Sequence, residues 1–156
     1  MEGGADVALN TTLLLRGVQQ FRRYYARQFA GVLEGTELTM REMDVVLFLA
    51  NNPRCDTARE VTELRGLAKS QVSGAVELLA RKGLLRREPD PADRRVVHLS
   101  LTDGGQALAR EGRKVQAACL ETLFSGLTAE EAAVFQILLE KVLAAAQTQF
   151  QEEADG

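Results

Sequence analysis

Two short stretches of the chain carry side chains suited to recognition chemistry. Lys69, Ser70, Gln71 and Ser73 lie together, with Gly74 beside them and Arg81 further along. Asp90-Pro91-Ala92-Asp93-Arg94-Arg95 is a charged turn. On a helix face, Gln71 suits bidentate pairing with adenine, and Ser70 and Ser73 suit bases or phosphates. Lys69 and Arg81 suit phosphate. Gly74 lets a backbone approach closely, and Arg94 and Arg95 suit a narrow A·T-rich minor groove. Catalytic chemistry has little to work with. There is one histidine, His98, and the two cysteines, Cys55 and Cys119, are 64 positions apart, so neither a zinc set nor a nucleophile–base pair suggests itself. The Gly-rich phosphate cradles GxGxxG and GxxxxGKS/T are absent from the sequence. The expectation is a protein that is not an enzyme and needs no metal or cofactor.

These residues must be positioned by helices and a hairpin. Residues 7–33 read as one long helix, because Leu14, Val18, Phe21, Tyr25 and Val32 recur at helical spacing, and Gly35 ends it. Thr39 and Glu42 form a capping box opening a helix with Met43, Val46, Leu47 and Ala50 on one face, stopped at Asn51-Asn52-Pro53. A second box, Thr57 and Glu60, starts a short helix from Ala58 to Leu64. The helix from Ala68 to Lys82 has an inner face of Ala68, Val72, Ala75, Val76 and Leu79, and Gly83 sits where a C′ glycine belongs. Residues 84–88 and 95–101 read as two strands around the charged turn, with Val97, Leu99 and Leu101 on one face. Thr102 caps a helix over 103–124. Thr128 and Glu131 cap a last one, on which Ala132, Phe135, Leu138, Leu139, Val142 and Ala145 form the apolar face, before a frayed polar tail from Gln151.

That order is a winged helix-turn-helix. The fold class expected is mainly α with a small β-hairpin wing, in one domain over 1–156. The winged lobe takes residues 37–101, and dimerisation helices take 7–34 and 103–150. As a total, the formal net charge of −3 argues against nucleic acid, but the total hides its distribution. Residues 54–95 hold ten Lys/Arg against seven Asp/Glu, whereas the remainder holds nine against fifteen. A basic centre between acidic helices is the footprint of a local nucleic-acid site. The sequence contains no run of about 18 apolar residues, and its N-terminus lacks a charged-then-apolar leader pattern. A cytoplasmic protein that avoids the membrane is expected.

The segment from Asp90 to Gly105 resembles the D-x-R-x-x-x-x-x-L-T-x-x-G wing pattern of the multiple-antibiotic-resistance-regulator (MarR) family of bacterial transcription factors. Asp93 and Arg95 take the D and R, and Leu101, Thr102 and Gly105 take the L, T and G. Leu67 to Leu85 is similar to the family's recognition helix, and Leu38-Thr39 to its entry into the second helix. The resemblance spans about residues 10–147 and implies a homodimer with interlocked terminal helices reading a pseudo-palindromic operator in double-stranded DNA. It also implies repression relieved by a small effector, often phenolic or anionic. Arg95 then becomes the wing-tip arginine, Asp93 its positioning partner, and Gln71 and Ser73 face the major groove.

Arg22 and Tyr25, a cation beside an aromatic ring, are candidate effector-binding residues for an aromatic acid. His98 reads as a plain surface histidine on the outward face of the second strand. Cys119 reads as a buried, inert thiol. Cys55, in a loop just before a helix, leaves open a thiol-based redox-responsive regulator; the family's redox members usually carry the sensing cysteine in the first helix, where this chain has none. A winged-helix protein-interaction module without DNA binding is a further alternative.

Overall fold

The structure, a computed structural model, describes residues 9–154. The chain divides into two compact units, Met1–Ala117 and Ala118–Gly156. The first holds α1 (Thr11–Gln28), α2 (Ala30–Leu33), α3 (Met40–Asn51), α4 (Ala58–Arg65), α5 (Lys69–Arg81), β1 (Leu85–Pro89), β2 (Val97–Leu101) and most of α6 (Asp103–Leu123). The second holds the end of α6 and α7 (Ala129–Ala154). The architecture is thus mainly helical with one antiparallel hairpin, as expected. No helix among the described residues is long and apolar enough to cross a membrane.

Local chemistry sets most boundaries. Asn10 caps α1, its Oδ1 accepting from the Leu13 amide at 3.1 Å, so the helix begins later than the expected residue 7, which lies outside the described residues. The expected single helix to 33 is also broken. The Phe29 amide donates to Ala26 at 3.3 Å, tightening the last turn of α1, and the Phe29 ring is fully buried beside Met43 and Leu47. Burying that ring takes precedence over continuing the helix. At α3, the Glu42 carboxylate accepts from the Thr39 amide at 2.7 Å and hydroxyl at 2.6 Å. Burial pushes its carboxyl up, but the Thr39 bonds outweigh this and hold it below the usual value. The Thr57–Glu60 box closes in the same way. Gly66, at φ 73°, and Gly83, at φ 72°, occupy the left-handed positions just after α4 and at the turn following α5.

The core lies between α3, α4, α5 and the hairpin. Val45, Val46, Val61, Val72, Ala75 and Leu79 are its buried centre, and Leu85 and Leu99 close it from the strands. Val97 and Leu101 share the inward face of β2 with Leu99, as the alternation predicts. Ala68, expected on the inner face of α5, is instead its exposed N-cap, because the helix starts one residue later.

Strand pairing, hydrogen bonds and one close backbone approach join the hairpin to α6. Leu85 pairs with Leu101 across the strands. The Thr102 amide donates to the Leu84 carbonyl at 3.1 Å, and the Thr102 hydroxyl donates to the Gly83 carbonyl at 2.6 Å. The same hydroxyl caps α6 by accepting from the Gly105 amide at 3.2 Å. A Cβ on Gly105 would overlap the Leu84 carbonyl oxygen. The L-T-x-x-G of the sequence pattern is therefore a junction in which the threonine bonds both ways and the glycine lets two backbones touch.

In the second unit, Glu131 accepts from the Thr128 amide at 2.8 Å, completing the third expected capping box. Phe124 and Phe135 meet edge to face at 5.4 Å. Val134, Ile137, Leu138, Val142 and Leu143 on α7 are exposed. Helix α7 continues to Ala154, past the expected start of fraying; the final residues, 155–156, lie outside the described residues.

Candidate nucleic-acid interface and effector cavity

Helix α5 presents its inner face to the core and leaves Lys69, Ser70, Gln71, Ser73, Gly74 and Arg81 exposed. The four candidates at its start occupy the first two turns. Arg81 stands in the last turn, about 18 Å further along the axis at 1.5 Å per residue, so it belongs to a different part of any contact surface. Gln71 already has a partner: its Oε1 accepts from the Ala68 amide at 3.2 Å. Alanine at the N-cap supplies no acceptor of its own, so glutamine at the third position provides the reciprocal half of a capping box.

The wing tip is ordered by carboxylates. Asp90 Oδ1 accepts from the amides of Ala92 at 2.8 Å and Asp93 at 3.0 Å. Asp93 Oδ1 in turn accepts from the Arg95 amide at 3.0 Å and its Nε at 3.1 Å. Arg95 nevertheless has a 91% exposed side chain, and Arg94 is exposed beside it. Asp93 thus orients Arg95 without hiding it.

Several cations of the basic centre are already neutralised. Arg59 pairs with Glu63, Arg65 with Asp44, and Lys82 with Glu37. Among the described residues, no ion pair involves Lys69, Arg81, Arg86, Arg87 or Arg94. The unpaired positive charge of the centre is concentrated on α5 and the hairpin.

His98 differs from expectation. It is half-buried, with Nδ1 at 2.9 Å from Asp56 Oδ1 and Nε2 at 2.8 Å from Asp90 Oδ2. The Asp90 and Asp56 carboxylates push it up to about 9, so it is a cation at neutral pH. His98 in return holds Asp90 below the usual carboxylate range. Asp56 is 42 positions distant, and strand alternation alone cannot show that the loop before α4 covers this face of β2.

Arg22 and Tyr25 both line a cavity of about 480 Å³ in the first unit, together with Phe21, Asp44, Arg65 and Leu67. The volume falls in the range of small-molecule sites. Tyr25 lies between Phe21 and Phe29 in tilted ring contacts, at 5.9 and 4.9 Å, and its hydroxyl accepts from Gln116 Nε2 at 2.9 Å. Asp44 and Arg65 are additions that no motif marks. Their only signals in the sequence are a carboxylate among the apolar residues of α3 and an arginine beside a left-handed glycine. Cys119 is buried, and burial pushes its thiol up, opposite to what easy oxidation requires. Cys55 is half-buried.

A three-helix core with its third helix exposed along one face, followed by a hairpin carrying arginines at its tip, defines the winged-helix class of regulators. Comparison with known proteins narrows this. Residues 36–96 match the model of the MarR family. The multiple antibiotic resistance protein MarR of Escherichia coli is 32% identical over 90 residues, 57% of this chain and 62% of that protein. A cysteine-to-serine mutant of E. coli MarR, crystallised in complex with operator DNA, superposes with a TM-score of 0.65 at 27% identity, over 83% of this chain and 93% of that one. The PcaV transcriptional regulator of Streptomyces coelicolor, in complex with its natural ligand, is 31% identical over 93% of this chain and 99% of its own, with a TM-score of 0.66. Bordetella bronchiseptica BpsR, whose DNA binding is regulated by 6-hydroxynicotinic acid, is 25% identical over 83% of this chain and 98% of its own, also at 0.66. The chain belongs to the MarR family. Its matches span 49% to 62% of the length of the curated relatives.

Proposed function

We propose that the chain is a homodimeric, sequence-specific DNA-binding transcriptional repressor of the cytoplasm, released from a pseudo-palindromic operator by a small aromatic acid. The observation that carries the DNA-binding reading is the pairing of the exposed start of α5 with a wing whose arginines project outward, while Arg59, Arg65 and Lys82 elsewhere in the basic centre are neutralised. A major groove about 12 Å wide admits α5, and its N-terminal half meets base edges. Ser70, Gln71 and Ser73 read or position there, Lys69 and Arg81 hold phosphate, and Arg94 and Arg95, set by Asp93, enter the adjacent minor groove. The DNA-bound MarR structure supports this assignment.

Support for the homodimer comes from apolar surface. Leu13, Leu14, Leu15 and Val18 on α1 are exposed, as is the apolar face of α7. The hydrophobic effect favours covering such stripes, and a second copy supplies matching ones. The effector reading rests on the cavity beside Arg22 and Tyr25, in which an aromatic wall and the Arg22 cation suit a planar carboxylate, while Arg65 is already paired with Asp44. BpsR, which responds to 6-hydroxynicotinic acid, supports the ligand class. Release is a population shift: moving from 1:99 to 99:1 requires about 5.5 kcal/mol of differential affinity between the two states.

The test begins with selection of bound duplexes from random DNA. The selected sites are expected to contain half-sites about one helical turn apart. Arg94→Ala/Arg95→Ala should weaken binding and flatten its salt dependence by about one for each phosphate no longer neutralised. Unchanged affinity and slope would remove the wing from the interface. Failure to select any duplex would remove the DNA-binding function itself.

A further inference from the structure

The hairpin poses a mechanical problem. A two-stranded ribbon is marginally stable alone, yet the wing must hold its tip arginines at a fixed distance from α5. The junction with α6 secures only its base. A second set of bonds secures its middle, and these centre on His98.

The residues before α4 lie along the outer edge of β2. The Leu99 amide donates to the Asp56 carbonyl at 2.6 Å, and Thr57 bridges His98 in antiparallel fashion. The His98 ring lies between two carboxylates that belong to different elements. Nδ1 reaches both Asp56 oxygens, at 2.9 and 3.0 Å, and Nε2 reaches Asp90 Oδ2 at 2.8 Å. Only the imidazolium donates from both nitrogens; a neutral ring would leave one carboxylate facing an acceptor. Beyond Asp90 the chain of bonds continues without interruption. Its other oxygen holds the Asp93 amide, and Asp93 holds the backbone and guanidinium of Arg95.

We propose that Asp56, His98 and Asp90 form a clamp that fixes the wing on the helix-turn-helix lobe, and that His98 is thereby a positioning residue for the wing-tip arginines. The functional half of this inference rests on the DNA-binding reading above; the structural half does not. A histidine placed only for solubility is satisfied by water. This one joins a loop 42 positions upstream to the residue that opens the wing turn. It stands directly across from Glu88 in the strand register, midway between the base and the tip.

The experiment uses the full chain in two arms. In the first, without DNA, amide hydrogen exchange is compared between wild type and His98→Ala. The Asp93 and Arg95 amides are expected to exchange about tenfold faster in the variant, the loss appropriate to one charge-assisted hydrogen bond. Amides of Val76 and Leu79 in α5 should stay unchanged. Asp56→Asn, which keeps the backbone bond to Leu99, should reproduce the effect and guards against a folding defect in His98→Ala. Unchanged wing amides in both variants would overturn the clamp. In the second arm, binding to a duplex selected from random DNA is measured for His98→Ala in wild-type and Arg94→Ala/Arg95→Ala backgrounds. Positioning predicts weaker binding in the first background and no further loss in the second. An equal loss in both would show a general structural role and overturn the positioning assignment. If wild type itself shows no salt-dependent binding, the DNA-binding reading fails, and the exchange arm alone decides the clamp.

Discussion

The glycines of α6 provide a graded test of how the wing is joined to the rest of the first unit. Gly104, Gly105 and Gly112 all lie in one helix, so replacing any of them by alanine gains about 1 kcal/mol or less of helix propensity. What differs is the neighbour each new methyl meets. At Gly104 it lies 3.2 Å from Leu84 Cδ2, a side-chain end that can turn aside. At Gly112 it overlaps the Met43 methyl and lies 3.0 Å from Leu47 Cδ2, in a buried position where the methionine adapts. At Gly105 it overlaps the Leu84 carbonyl oxygen, which is backbone at the entry to β1 and already bonded to the Thr102 amide. Overpacking costs about 1–3 kcal/mol and more where the backbone must move. Gly105→Ala, at the upper end of that range, is therefore expected to lose about 2 kcal/mol net of propensity, or about 4–8 °C in Tm for a chain of this length. Gly112→Ala should lose no more than about 1 kcal/mol, and Gly104→Ala should be neutral or stabilising. Urea unfolding at fixed protein concentration measures all three, with an unchanged slope showing that only stability moved. A midpoint for Gly105→Ala equal to or above that of Gly104→Ala would refute the close-approach account of the motif glycine.

Three further outcomes are expected. His98 is raised from 6.5 to about 9 in the fold, so its contribution to stability is complete below pH 6.5 and is lost as pH rises through about 9. Denaturant midpoints of wild type should fall across that window relative to His98→Gln, and parallel profiles would contradict the double ion pair. Lys69→Ala should weaken binding to all duplexes alike, whereas Gln71→Ala should relax base preference at one position per half-site; competition between selected and scrambled duplexes separates the two. For an aromatic acid that occupies the proposed site, at about 100 times its dissociation constant, stability should rise by about 2.7 kcal/mol, and Arg22→Ala should remove the rise in a thermal-shift titration. Persistence of the rise would move the site away from the α1 cavity.

Legibility in the sequence followed the range of the interactions. The capping boxes at Thr39, Thr57 and Thr128 and the glycine at 83 act over a few residues; the boxes placed three helix starts correctly, and the glycine placed the end of α5 to within one residue. The inward face of β2 followed from period-two alternation. The break at Phe29 escaped because Phe21, Tyr25 and Val32 fit one continuous stripe, whereas the Phe29 ring packs beside Met43 and Leu47, which come from another element. His98 escaped for the same reason, since its partner Asp56 is brought near by tertiary folding. In the cavity, Arg22 and Tyr25 were legible as a cation beside an aromatic ring on one helix, whereas Asp44 and Arg65 come from other elements.

The glutamine that closes the start of α5 bears on how the protein would search DNA. While Gln71 Oε1 accepts from Ala68, only the amide nitrogen remains to donate outward. Bidentate pairing with adenine needs both atoms turned toward the base, so it competes with a side chain folded back onto the helix start. On non-operator DNA the side chain can keep its intramolecular bond, and the helix start remains closed as the protein slides. At the correct base, a pairing worth about 1–3 kcal/mol is offset in part by the surrendered hydrogen bond, at about 0.5–1.5 kcal/mol. In the proposed complex Gln71 would act as a latch that opens only for a matching partner. Its discrimination arises after encounter, and it should register in the dissociation rate while leaving the association rate unchanged.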